Sequence, residues 1–258
     1  IQHILNLYKE KNLFKAESFN RELISKYPNN VILYNILGLI LTDQQKIDEA
    51  IECYEKGITI KPDYAMIYNN LGGIYHSKED YSKAESYYKK SINLNNKIPE
   101  PQNNLGNLYL FLNRYSEAIV CYNNAIKIKP TFAVFHYNLG IVCKTIGKLK
   151  EAKKHLETAV KLNKYFCIAH RNLGLLIKYT KDDDHFSLLK KLYKDSKINN
   201  IQKTELAFAL GKASDDIKDF DNAFQYYTEG NELRRKSLIF SIKDEKKEFN
   251  TIKKIFDK

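Results

Sequence analysis

"YNNLGGIYHSKEDYSKAESYYKKSINLN", residues 68–95, returns further along as "QNNLGNLYLFLNRYSEAIVCYNNAIKIKP", residues 102–130. The shared skeleton is a Leu-Gly pair, an Ala twelve residues after the Gly, and a Tyr four residues beyond that. Traced in both directions, the pair stands at Leu37-Gly38, Leu71-Gly72, Leu105-Gly106, Leu139-Gly140 and Leu173-Gly174, every step the same length. The Ala follows as Ala50, Ala84, Ala118 and Ala152, and the next mark as Tyr54, Tyr88, Tyr122 and Leu156. One register held through five units is an internal repeat.

The spacing within a unit gives its form. Tyr68, Leu71, Gly72 and Tyr75 follow the i, i+3, i+4, i+7 rule and share one side of a helix. The polar run "HSKED" interrupts it, and Ala84, Tyr87, Tyr88 and Ser91 then mark one side of a second helix. Gly and Ala lack bulk, so they belong where the two helices approach most closely, with Leu and Tyr filling the space around them. Pro62 and Pro130 follow second helices ending in "ITIK" and "IKIK", where a helix must stop. Each unit is therefore a helical hairpin that buries its apolar side only against a neighbour.

This pattern resembles the tetratricopeptide repeat (TPR) in its length of about 34 residues, its Leu-Gly, its Ala and its terminal Pro. The resemblance implies an all-α fold: a right-handed TPR superhelix, an α–α solenoid, of about seven helical hairpins with a C-terminal capping helix. The family's usual first-helix Trp is missing, and Tyr34 and Tyr68 take its place in two units. Ala16 and Pro28 keep the register in a degenerate unit at 1–30. Five units follow at 31–64, 65–98, 99–132, 133–166 and 167–200. The next pair, Leu210-Gly211, comes three places late, with Ala223 and Tyr227 at the usual offsets, in a divergent last hairpin at 201–240. The extra length is placed around "TKDDDHFSLLKKLYKDSKINN". Ser241 with Asp244 resembles a capping box, opening a capping or linker helix over 241–258 that carries Ile242, Phe249, Ile252 and Phe256.

A chain of 258 residues ordinarily suggests about two domains, but a solenoid grows by addition, and one array is the better count. Cys53, Cys121, Cys143 and Cys167 show no CxxC spacing and read as reduced packing residues of a cytoplasmic protein. No apolar run reaches the length of a membrane span, and no signal peptide is visible. The net charge of +11 is uneven: residues 97–175 hold 12 basic groups against 4 acidic, while residues 1–96 balance at 12 each. An acidic peptide or other anionic partner suits that excess, and so does an ordinary solvated helix surface in a Lys-rich chain.

Motifs for catalysis are missing: there is no GxxxxGK[ST], Rossmann fingerprint, HExxH or GxSxG. The six His residues read as scattered, and Asp182, Asp183 and Asp184 as a solvated turn rather than a metal site. No cofactor, metal site or catalytic residue is expected, and nucleic acid is not the expected partner. The recurring Asn is the better lead. At about 100° per residue, Asn70 falls about 150° from the centre of the side that faces the partner helix. It returns as Asn104, Asn138 and Asn172, with Asn69 and Asn103 beside two of them. Asn is a mediocre helix former, so its return at an exposed offset points either to binding or to Asn-rich composition. A side-chain amide both donates and accepts, which suits the backbone of an extended peptide. First helices line the concave groove of a TPR array, as the resemblance implies, and a similar Asn ladder is known in O-linked N-acetylglucosamine transferases. Lys144, Arg171 and Lys178 fall at the other edge of the same arc and give the groove a positive wall. The Lys/Asn/Arg set of the chaperone-tail clamp is not found.

"TELAFALGKASDDIKDFDNAFQYYTEGNELRRK", from residue 204, with "DDDHFSLLKKLY" before it and "FNTIKKIF" after it, resembles over roughly residues 180–258 the junction in TPR-sulfotransferase fusion proteins, where an α/β domain with a "PRSGTT" motif binds phosphoadenylyl sulfate. No such motif occurs here. The chain opens on Ile1 rather than Met and stops at Lys258, about where that domain begins, so it reads as a piece of a longer protein. Two functions stay open: a scaffold that binds a peptide or protein partner in its groove, or the substrate-recruiting region of a sulfotransferase.

Overall fold

The computed structural model describes residues 1–237; the helix expected from Ser241 to the end, with Ile242, Phe249, Ile252 and Phe256, lies outside the described residues. Among the described residues there are fourteen helices and no strand. They are α1 (Gln2–Lys9), α2 (Leu13–Lys26), α3 (Val31–Asp43), α4 (Ile47–Ile60), α5 (Ala65–Ser77), α6 (Tyr81–Leu94) and α7 (Pro99–Phe111). The rest are α8 (Tyr115–Ile128), α9 (Ala133–Thr145), α10 (Leu149–Leu162), α11 (Cys167–Gly174), α12 (Asp184–Tyr193), α13 (Asn200–Asp216) and α14 (Phe220–Ser237). They fall into two compact units, Ile1–Gly147 and Lys148 onward.

In the first unit the expected hairpins form: α3 packs on α4, α5 on α6 and α7 on α8. Glycine sets how closely. A Cβ on Gly38 would stand 2.4 Å from the ring of Tyr54, one on Gly72 2.6 Å from Tyr88, and one on Gly106 2.7 Å from Tyr122. These rings are buried, as are Ala50, Ala84 and Ala118 on the same helices. One apolar cluster joins Leu37, Leu41, Tyr54, Ile67, Leu71 and Ile74 across two repeats, the neighbour-on-neighbour burial that a solenoid requires. Cys53 and Cys121 are buried too, and burial pushes the Cys121 thiol up to about 11.

The turns carry a device the letters do not announce. Lys11, Gln45, Glu79, Asn113 and Gly147, again one repeat apart, all have a φ between 58° and 79°. After α3, Gln45 N–H donates to the Thr42 carbonyl at 3.0 Å and Lys46 N–H to Leu41 at 2.9 Å. That is the Schellman closure, which usually takes glycine at the left-handed position. Here only Gly147 supplies it, and the turn geometry overrides the residue preference elsewhere.

A second tie runs from two first helices, α5 and α9, to the turn that precedes each. The Tyr68 hydroxyl donates to the Pro62 carbonyl at 2.8 Å, and His136 Nε2 to Pro130 at 2.9 Å. On the outer side Arg114, Lys89 and Tyr109 converge on Glu85, with Arg114 Nη1 at 2.7 Å.

In the second unit Gly211 repeats the interlock, a Cβ there standing 2.8 Å from Tyr227. The pair before it does not. α11 stops at Gly174 after 8 residues, and residues 175–183 link it to α12. Lys178 therefore lies in a link, not on the helix where the wheel put it, and its expected edge position is corrected. The cause stands twelve residues after Gly174: Phe186 occupies the place that Ala holds in the earlier repeats. Its buried ring is too large for a close Ala-type crossing, and α11 packs chiefly on α13 instead. Tyr179 from the link fills the space over Gly174, its hydroxyl 3.0 Å from where a Cβ would be. The longer register also sits elsewhere than expected: α13 has 17 residues against 13 in α3, the addition being a first turn ahead of Leu210-Gly211. Asp183 of the acidic run accepts from the His185 and Phe186 N–H groups at 2.9 and 3.2 Å, capping α12. No described helix is long and apolar enough to cross a membrane.

Candidate functional site

The asparagines form two columns along the first helices. Asn35, Asn69 and Asn103 recur at the repeat interval, as do Asn70, Asn104 and Asn138 one place further on. Each member of the second column donates its Nδ2–H to the first-column Oδ1 on the preceding first helix. Asn70 reaches Asn35 at 2.9 Å, Asn104 reaches Asn69 at 3.0 Å, and Asn138 reaches Asn103 at 2.8 Å. Within a helix the two columns are joined as well, Asn69 to the Asn70 oxygen at 3.3 Å and Asn103 to the Asn104 oxygen at 3.4 Å.

The result is one directed line: Asn138, Asn103, Asn104, Asn69, Asn70, Asn35. Every amide within it receives on oxygen and gives from nitrogen, so the direction of one link fixes all the others, and aligned links strengthen one another. Asn107 extends the network, its oxygen accepting from Asn138 at 3.2 Å and from the Tyr122 hydroxyl at 2.7 Å.

This changes the expected exposure. Asn70, Asn104 and Asn138 are half-buried, and Asn69 is buried at 6%. The helical wheel considered only the partner second helix, whereas α5 also packs on α3, α7 on α5 and α9 on α7. Neighbouring first helices close over the Asn side, and the amides satisfy each other there.

Chemical capacity is left over. A primary amide has two N–H donors and an oxygen with two lone pairs. Each interior amide of this line spends one donor and one lone pair on it, while Asn138 spends both of its N–H groups, on Asn103 and Asn107. An extended backbone needs one donor and one acceptor per peptide group, which is the same complement.

The cations are placed differently. Lys144 is half-buried on α9 in the first unit, and Lys178 is exposed in the second. Arg171, on α11, lies 3.1 Å from Glu205 and 4.8 Å above the ring of Phe208. Its guanidinium is held by an internal carboxylate and an aromatic face. Asn172 donates to the Ile168 carbonyl of its own helix at 3.0 Å. The first-column place in the preceding repeat is held by Tyr137, so the sequence supplies no Asn there.

Asn35 and Asn107 went unnoticed in the sequence, although Asn35 is in register with Asn69. The histidines are not scattered either. His136 and His170 occupy the place of Tyr68, two and three repeats on, and His170 Nε2 meets the Lys164 carbonyl at 2.9 Å. Among the described residues no group of three or more His, Cys, Asp or Glu is arranged to hold a metal ion.

Known proteins bear on this arrangement. Models of the tetratricopeptide repeat match residues 38–78 and 107–147, and 65–98 and 133–166. PilF of Pseudomonas aeruginosa is similar over 80% of this chain and 97% of its own, at 19% identity and a TM-score of 0.62. A chain of the APC/C hetero-tetramer Cut9–Hcn1 is similar over 92% of this chain and 46% of its own, at 17% identity and a TM-score of 0.67. YrrB, a TPR protein with an unusual peptide-binding site, is similar over 81% and 97%, at 17% identity and a TM-score of 0.52. At these identities the likeness is one of fold. No curated protein sequence matches the chain. Its helix pairs, its constant register and these matches together establish that the chain carries tetratricopeptide repeats and has an all-α TPR fold.

Proposed function

We propose that the chain is a protein-interaction scaffold that takes an extended peptide segment of its partner along the asparagine ladder and performs no catalysis itself. The observation that carries this reading is the directed line of amides, whose interior members Asn103, Asn104, Asn69 and Asn70 each spend one donor and one lone pair on it. Packed helices lie about 8–10 Å apart and an extended chain advances about 3.3–3.6 Å per residue. Successive rungs then meet a peptide about every third residue. YrrB supplies a parallel, a TPR protein with a peptide site of its own. The basic excess of residues 97–175 favours an acidic segment, and a cytoplasmic setting fits four buried free thiols.

The test is an array of unbiased extended peptides probed with the whole chain, followed by Asn70→Ala and Asn104→Ala together. The paired change should weaken capture about tenfold or more, which is about 1.4 kcal/mol, while the helical circular dichroism persists. Equal affinity would assign the asparagines to the internal network alone.

A second reading makes this chain the substrate-recruiting region of a TPR-sulfotransferase. It rests on the resemblance of residues 204–236 and on Phe220 and Phe224 of α14, which are 63% and 75% exposed. Sequencing downstream of Lys258 decides it: a strand followed by a "PRSGTT"-like loop supports it, and an immediate stop codon rejects it.

A further inference from the structure

Three side chains of the second unit form a hydrogen-bonded line apart from the ladder. His170 Nε2 lies 2.9 Å from the Lys164 carbonyl oxygen, His170 Nδ1 lies 2.8 Å from His185 Nε2, and His185 Nδ1 lies 2.7 Å from the Tyr179 hydroxyl. The carbonyl oxygen can only accept, and with both rings neutral, as burial favours, that fixes every proton. His170 donates from Nε2, so its Nδ1 accepts. His185 donates from Nε2, so its own Nδ1 accepts, and Tyr179 donates. Both imidazoles are neutral, and all four ring nitrogens are occupied. The rings lie nearly parallel, with centroids 5.1 Å apart for His170 and His185 and 5.8 Å for Tyr179 and His185.

Neither ring takes another proton without rearranging the line. On His170 it would enter at Nδ1 and face the His185 N–H, donor against donor, until His185 shifted its proton to Nδ1 and Tyr179 turned its hydroxyl to accept. On His185 it would enter at Nδ1, and Tyr179 would have to turn its hydroxyl to accept, leaving the phenolic proton without its present acceptor. The charged groups nearby are already engaged. From the link, Asp183 caps α12. From α13, Asp216 accepts from the Tyr179 N–H at 2.9 Å and pairs with Lys212, which also donates to the Ile177 carbonyl and sits 5.1 Å over the Tyr179 ring. Every ring nitrogen is thus bonded to a carbonyl, a ring or a hydroxyl rather than to a carboxylate.

The line also does mechanical work. Helix α11 has two turns, fewer than an isolated helix needs to persist, so tertiary contacts hold it. Tyr179 closes over Gly174, and His170, at 0% exposed, is the buried anchor of the same helix. We propose that the Lys164–His170–His185–Tyr179 line is an acid-sensitive latch: neutral, it ties α11 and residues 175–183 to α12, and protonating either imidazole releases them.

The electrostatics agree in direction. Burial, then the facing His170, push His185 from 6.5 down to about 4 against the pull of Asp183. Burial lowers His170 too, against its bond to Lys164. A base lowered in the closed form takes up more protons in the open form, so the latch is fully held above pH 6.5. It weakens as pH falls from there towards 4, and levels off once the closed form titrates as well.

The experiment is amide hydrogen exchange on the whole chain without peptide, at pH 7.5 and pH 5, corrected for intrinsic rates. Amides of residues 170–179 should lose protection at least about tenfold more than those of α5–α8. In His185→Phe, which keeps a ring but leaves only His170 to titrate, that difference should shrink. Nitrogen-15 spectra of the wild-type rings should show both histidines neutral at pH 7 with the proton on Nε2, and His185 still neutral at pH 6. Ordinary titration of both rings near 6.5 with unchanged protection would overturn the latch, as would full pH sensitivity in His185→Phe. If that variant does not fold, the wild-type ring spectra and exchange decide alone. No peptide enters either measurement, so a failed latch leaves the ladder standing, and a failed ladder leaves the latch.

Discussion

At Gly106 the lack of a single methyl group decides how two helices meet, because the Tyr122 ring occupies the space where that carbon would be. Gly106→Leu should overpack the crossing and cost about 1–3 kcal/mol, read as a lower melting temperature; an unchanged one would contradict the interlock. Glu85 makes an electrostatic counterpart. Burial alone would raise its carboxyl, but hydrogen bonds from Arg114, Lys89 and Tyr109 outweigh burial and hold it at about 2 against an ordinary 4.5. A carboxyl lowered on folding stabilises fully above pH 4.5 and loses that contribution as pH falls towards 2. Glu85→Gln should cost about 2 kcal/mol at pH 7 and much less near pH 2, by denaturant titration at both. A constant difference would remove Glu85 from the acid sensitivity. The apolar marks of the repeat were legible from the letters because Leu, Gly, Ala and Tyr recur unchanged. The tie from first helix to preceding carbonyl was not. Where it forms it is made by Tyr68, His136 and His170, and its acceptor is a backbone oxygen, which has no letter of its own.

Among the elements, the regular hairpins follow from the pattern, and the α11–α12 pair departs from it for a reason present in the sequence. Phe186 in the Ala place and Lys190 in the Tyr place remove both halves of the usual interlock. The chain answers with Tyr179, which reaches Gly174 from five residues away instead of sixteen. A search by matching letters finds Leu173-Gly174 and misses that its partner has moved. α12 depends on its cap to a corresponding degree. Asp183→Ala should cost about 1 kcal/mol, with faster amide exchange concentrated in residues 184–187; uniform loss across the second unit would show that the carboxylate does more than cap. The left-handed turns are a different case. The Schellman closure is set by how the helices must return, and Gln45, Glu79 and Lys218 accept the conformation without being its preferred residues.

For the molecule as a whole, stability accumulates from neighbour to neighbour, and each compact unit has its own core: Leu37 to Ile74 with Ile4 to Ile40 in the first, and a cluster around Leu206, Leu210 and Phe186 in the second. The candidate site was half legible. Its second column of asparagines showed itself by periodicity, while its partner Asn35 and its internal bonding depend on the distance between successive first helices, which one helical wheel does not contain. The ladder is thus part of the fold and, in the proposed function, the surface offered to a partner. Its side-chain amides report on both roles in nitrogen-15 spectra recorded while a captured peptide is added. The amide signals of Asn70, Asn104 and Asn138 should shift together and saturate with the binding curve. Shifts confined to α4, α6 and α8, with the ladder amides unmoved at saturation, would contradict the account.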